Sequence, residues 1–156
     1  MARTFSTAAT TSINAQATEE VWLTLLTITS SEVAFPLRFV ANNQSVVSRG
    51  NTFIAFPFDL DFPGQDEENP GEARLMIDNI DRSIVAFVRS ISIPPKVTIE
   101  VVLASSPDTV EAYFSNMTLR NVSYDAKTVS GLLKFEDIVI EPVTYAMTPE
   151  RFPGQF

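Results

Sequence analysis

The chain has 156 residues, 45% of them apolar and 19% charged, so it carries enough apolar side chain to bury one core against the entropy of ordering. It contains no His and no Cys, which excludes Ser-His-Asp and Cys-His nucleophiles, disulfides, and zinc or iron–sulfur sites built on imidazole or thiolate. With 11 basic and 19 acidic residues, a net charge of -8 and a pI near 4.4, it lacks the clustered Lys and Arg that neutralise phosphates, and sequence-specific nucleic-acid binding is not expected.

Residues 1–20 are rich in Thr, Ser and Ala, with Phe5 and Ile13 as the only large apolar side chains, and read as an arm or a short helix. No stretch here has the apolar length of a signal peptide, and no run further on approaches the roughly 18 apolar residues of a membrane span. The absence of cysteine fits a reducing compartment, and the sequons at Asn43, Asn116 and Asn121, which matter only in a secreted chain, are expected to go unused.

From residue 21 to residue 140 the apolar residues recur with period two and are β-branched or aromatic, the pattern of half-buried strands. Strands are expected over Val21–Thr29, Pro36–Ala41, Thr52–Phe62, Glu72–Ile80, Lys96–Ser105, Thr109–Phe114, Thr118–Tyr124 and Val129–Glu136. In Thr52–Phe62 the residues Ile54, Phe56, Phe58, Leu60 and Phe62 share one face; in Lys96–Ser105, Val97, Ile99, Val101 and Leu103 point inward and Thr98 and Glu100 outward. Turns are expected at Asn42-Asn43, Arg49-Gly50-Asn51, Ser106-Pro107-Asp108 and Asp125-Ala126-Lys127. Between the strands, Ile84, Phe87, Val88 and Ile91 have helical spacing, with Asp81 placed as N-cap and Pro94-Pro95 as the stop, so one amphipathic helix is expected to lie on the sheet. The fold class is mainly β: an antiparallel sandwich or barrel of about eight strands with one helix. Residues 141–156 carry Tyr145, Pro149, Phe152, Pro153 and Phe156, an apolar, proline-interrupted tail that suits neither a central strand nor a helix and reads as a docking segment.

Two clusters raise the question of chemistry. Asp61–Glu72 has the twelve-residue length of an EF-hand loop, but Pro63 occupies the third ligand position and Asp66 the glycine position, so a solvated connection is expected and no metal site. A two-carboxylate hydrolase would need a pair such as Asp78 with Asp81 or Glu136 with Asp137; a strand end and a helix cap account for the first more simply and the cap of a turn after a strand for the second, and no catalytic residue is assigned.

Four stretches in order, Val47–Phe58 (VSRGNTFIAFPF), Pro70–Arg82 (PGEARLMIDNIDR), Thr118–Gly131 (TLRNVSYDAKTVSG) and Thr148–Phe156 (TPERFPGQF), resemble a family of short tail-tip proteins of long-tailed bacteriophages. More distantly, the same order is similar to the N-terminal part of lambda-type minor tail protein L, a subunit of the tail hub. The resemblance implies a tube- or hub-like β domain in a ring around the tail axis, a trimer or hexamer beside other tail-tip and tail-tube proteins. It implies a virion tail assembled in the host cytoplasm, no catalytic residue and no cofactor. The cysteine-bearing extension of the larger hub proteins, associated with an iron–sulfur cluster, has no counterpart in this cysteine-free chain. In a DNA conduit, net negative charge facing the lumen would keep phosphate from binding. A carbohydrate-binding β-sandwich for host adhesion is the alternative; it needs exposed aromatic platforms, whereas Trp22 lies within an apolar strand and is expected to pack.

Overall fold

The computed structural model describes residues 5–61, 72–78, 83–125 and 127–135. Along the chain run α1 (Thr7–Asn14), β1 (Trp22–Ser30), β2 (Val33–Val40), β3 (Val46–Ser48), β4 (Asn51–Ala55), β5 (Phe58–Asp61), β6 (Glu72–Asp78), α2 (Ser83–Ser90), β7 (Lys96–Leu103), β8 (Ser106–Tyr124) and β9 (Thr128–Lys134). The strands form one sheet in the order β3-β4-β2-β1-β7-β8-β9-β6-β5. Every pairing is antiparallel except β2 with β4, which are parallel through Phe39–Ile54 and Val40–Ala55. The expected mainly-β class holds. Nine described strands replace about eight, the sheet is not closed into a barrel, and a second helix, α1, joins the expected α2.

The sheet curls in opposite directions at its two ends, and this creates two cores on opposite faces. On one face, Leu75 and Ile77 of β6 share a cluster with Leu26 and Ile28 of β1, although three strands separate β6 from β1 in the sheet order. Phe39, Phe56, Ala73, Val97, Ile99, Met117, Leu119, Val129 and Leu133 complete that core, and Phe87 of α2 packs on it half-buried. On the other face, the β3–β4 hairpin folds back to place Phe53 with Leu23, Leu25, Val40 and Val102. Because β1 is covered on both faces, its sequence WLTLLTITS has apolar residues at both parities rather than strict alternation.

Several local expectations are corrected. Thr52–Phe62 is two strands at opposite ends of the sheet, because Pro57 lacks the N–H that a continued ladder needs. The phase also differs: Phe53 is buried and Ile54 is exposed. The Phe56-Pro57 junction bridges the ends: Phe56 N–H donates to Val40 O (3.1 Å), and Asp78 N–H donates to Pro57 O (3.1 Å). Residues 109–124 lie in one long strand, and the expected break is absorbed by bulges. Val97 pairs with Met117 but Ile99 with Phe114, and Arg120 pairs with Leu132 but Ser123 with Ser130, leaving one extra β8 residue each time. Asn116 (φ 58°) and Asn121 (φ 52°) fall within these intervals in the left-handed region, where Asn is among the better-tolerated residues. The turn expected at Ser106-Pro107-Asp108 lies earlier, since Leu103 already pairs with Ser106 across Ala104-Ser105. At Gly131, a Cβ would come within 2.6 Å of Leu119 Cδ1, so glycine lets Leu119 lie close over β9.

The segment before β1 forms a docked helix. Ser6 caps α1, its Oγ accepting from Ala9 N–H at 3.1 Å, and Ala9 is fully buried. Phe62, Asp81 and the side chains of Ile84 and Val88 lie outside the described residues, as do the acidic stretch after Asp61, Glu136 and Asp137.

Candidate interaction surface

The Arg49-Gly50 turn joins β3 to β4 with both residues at positive φ (50° and 74°), the geometry of a two-residue type I′ hairpin. Arginine is an uncommon occupant of that position, and its contacts show what offsets the strain. Its backbone N–H donates to Asp108 Oδ1 at 2.5 Å. Its guanidinium forks onto Glu100, Nη1 to Oε1 at 2.8 Å and Nη2 to Oε2 at 2.6 Å, and Nε donates to Ser48 Oγ at 3.2 Å. Ser48 Oγ donates in turn to Pro107 O at 2.7 Å. The hydrogen bond to Glu100 raises the Arg49 pKa against the opposing effect of burial. Glu100, expected to face outward, is therefore buried, and the cluster fastens the β3–β4 hairpin over the second core.

A second polar tie holds α1. Glu111 is the extra residue where Val101 pairs with Ala112 but Val102 with Val110. Its Oε2 accepts from Ser6 N–H at 2.8 Å, and Oε1 is buried without a hydrogen-bond partner. Trp22 Nε1–H donates to Ser12 Oγ at 3.3 Å, so the lone tryptophan is half-buried against α1 rather than presented as a platform.

An open cleft of about 670 Å³ lies beside the Phe56-Pro57 junction, lined by Ala41, Asn42, Asn43, Pro57, Phe58, Asp59, Met76 and Asp78. Ala41 and the two asparagines belong to the bend after β2; the rest come from β5, β6 and the proline before β5. Asp78, earlier a candidate acid, is exposed at the end of β6 beside this cleft, and its proposed partner Asp81 lies outside the described residues. Among the described residues, no three His, Cys, Asp or Glu side chains converge on a common point that could hold a metal ion. No described helix is long and apolar enough to cross a membrane.

Apolar side chains stand out at the other end of β2. Phe35 is 81% exposed, on a stretch where Ala34, Phe35 and Pro36 together face the single residue Thr29. Ile93 is exposed nearby in chain connectivity, because Glu32 in the β1–β2 turn accepts from Ser92 N–H (2.5 Å) and Ile93 N–H (3.2 Å). Sequence reasoning missed Phe35, the Arg49–Glu100 pair and Glu111; the one local signal was Pro36, which favours an irregular strand edge. The expected docking residues Tyr145, Pro149, Phe152, Pro153 and Phe156 lie outside the described residues.

The fold and its surfaces define a mainly-β protein on one open, doubly curled sheet, with polar ties between elements and apolar groups left at the surface. Residues 8–146 match the sequence model of the family described as a domain of unknown function (DUF1833), and the chain belongs to that family. No curated protein matches the chain.

Proposed function

We propose that the protein is a structural subunit of a bacteriophage tail tip, one copy of a ring around the DNA conduit, assembled in the host cytoplasm and carried in the virion tail. The observation that carries this reading is an open sheet with large apolar side chains in solvent, Phe35, Val47 and Ile54 among them, on the strands β2, β3 and β4 at one end of the order. Assembly subunits use such edges and patches to bind neighbours. The segments that resemble tail-tip proteins support it too: Val47–Phe58 spans most of the pinned hairpin and the junction, Pro70–Arg82 contains β6, and Thr118–Gly131 covers the second half of β8 and the start of β9. The tail from Tyr145 to Phe156 is assigned to docking on an adjacent subunit or the next layer, where aromatic anchors carry most of an interface's energy.

Electron microscopy of the purified protein at increasing concentration, alongside virions, tests the reading. Rings of defined symmetry are expected, and deletion of residues 148–156 should leave a folded monomer that does not build tail tips. A protein that stays monomeric at every concentration and binds host glycans overturns the reading in favour of the adhesion module.

A further inference from the structure

Phe35 and the cleft lie at opposite ends of β2, Phe35 in the bulge near its start and Ala41 to Asn43 just past its finish. At about 3.3 Å per residue these patches are about 20 Å apart along a strand hydrogen-bonded to β1. A single copy cannot bring them together. We propose that Phe35 of one copy enters the Pro57–Phe58–Met76 cleft of the next, so that copies join head to tail through two different surfaces. The inference rests on the ring reading above and names the contact that would build the ring.

The shapes correspond. The backbone on either side of Phe35 is held by the bulge, by the restricted φ of Pro36, and by the Glu32 clamp on the loop before β7, so the ordering cost of docking falls on the Phe35 side chain and not on its strand. The cleft, at about 670 Å³ and walled by a proline, a phenylalanine and a methionine, has room for a phenyl ring together with its flanking Ala34 and Pro36. The charges correspond as well. The described cleft lining carries two carboxylates, Asp59 and Asp78, and no cation. The knob end carries Arg38, three residues on from Phe35, and Lys96, which pairs with Thr29 opposite the bulge and donates Nζ–H to Thr118 Oγ1 at 3.0 Å. Glu32, in the adjoining β1–β2 turn, already accepts two backbone N–H groups. Contacts between unlike patches close into rings when the rotation per copy closes, whereas a contact between like patches stops at a dimer.

The absence of native cysteine makes cross-linking free of background. Under mild oxidation, the Ala34→Cys/Asn43→Cys double variant, which places one thiol beside Phe35 and one at the rim of the cleft while leaving the ring and the apolar walls intact, should give a ladder of disulfide-linked oligomers ending at the ring size, while either single cysteine variant should give none. A double variant that remains monomeric, or single variants that dimerise as fast as the double one, would overturn the head-to-tail contact. In parallel, Phe35→Asp, with an unchanged melt expected for so exposed a residue, should weaken self-association at least about 30-fold, the loss typical of an interface anchor. If Phe35→Asp still forms rings by electron microscopy, the contact is wrong and the ring reading stands. If the wild type never forms rings, both fail.

Discussion

The two cores on opposite faces of the sheet are closed by different means. The first has thirteen buried apolar residues drawn from both arms of the curl, among them Phe39 and Phe56 with ring centroids 5.1 Å apart, and no charged group among its members. The second has five, and its lid is a hairpin whose β3 is only three residues long. Burial scales with area, so the larger cluster can hold its curl by apolar contact alone, whereas a short hairpin over five side chains gains from directional ties. The Ser48–Arg49–Glu100–Asp108 network supplies those ties where the apolar area is smallest.

The harshest test of this contrast is to remove one large ring from each core. Phe56→Ala should cost about 3–5 kcal/mol and lower the midpoint of the whole unfolding transition, because Phe56 sits where both ends of the sheet meet. Phe53→Ala, with Phe53 only 2% exposed, should cost a comparable amount but show its first loss of amide-exchange protection in residues 46–55. Identical protection maps for the two variants would show that the cores are one cooperative unit, and melts matching the wild type would refute the burial itself.

The same contrast explains what could be read from the sequence. Strands such as β6 and β9 alternate cleanly, Ala73, Leu75 and Ile77 inward and Arg74, Met76 and Asp78 outward, because only one face is covered. Around Phe53, Ile54 and Phe56 apolar residues occupy both parities, so period-two reasoning fixed the wrong phase, and Pro57 was the better guide to the break. Glu100 reads as outward in any local window; its partner is 51 residues away. The docking of α1 through Glu111 spans 105 residues. The expected β class and the Arg49-Gly50 turn were local properties, whereas the polar ties and the exposed position of Phe35 depend on strand pairings that no short pattern encodes.

The pin can be broken from either side, with smaller effects than a core ring. Arg49→Met leaves the Glu100 carboxylate buried without its fork, and should cost about 2–3 kcal/mol, below the full cost of orphaning a buried ion because the Arg49 side chain is 41% exposed and its charge partly solvated. Adding Glu100→Met should recover part of that loss, since a medium-sized apolar residue there would extend the second core beside Leu25, the strand partner of Glu100. Chemical denaturation of the two single variants and the double variant gives the coupling directly. Strict additivity would mean that the pair contributes nothing to closure, and the contrast between the cores would then rest on area alone.

The mildest test concerns acid and the turn beyond the first core. Asp125 Oδ1 accepts from Lys127 N–H at 2.6 Å and Thr128 N–H at 2.8 Å, and these bonds, the one from Lys127 foremost, lower its pKa from the ordinary 3.8. A carboxyl whose folded pKa is depressed stabilises the fold fully above its unfolded value, and that contribution is lost as pH falls through the folded value. The β8–β9 turn should therefore loosen only below about pH 3.8, while Arg49 at the second core keeps its charge throughout. The effect is small because Asp125 is fully exposed. Amide shifts of Lys127 and Thr128 followed by NMR should titrate together with a midpoint below 3.8, and Asp125→Asn should flatten both curves. A midpoint at or above the ordinary value would mean that the turn does not favour the ionised carboxylate, and the β8–β9 turn would owe its closure to the Asp125 N–H to Thr128 O bond (2.9 Å) and to burial rather than to charge.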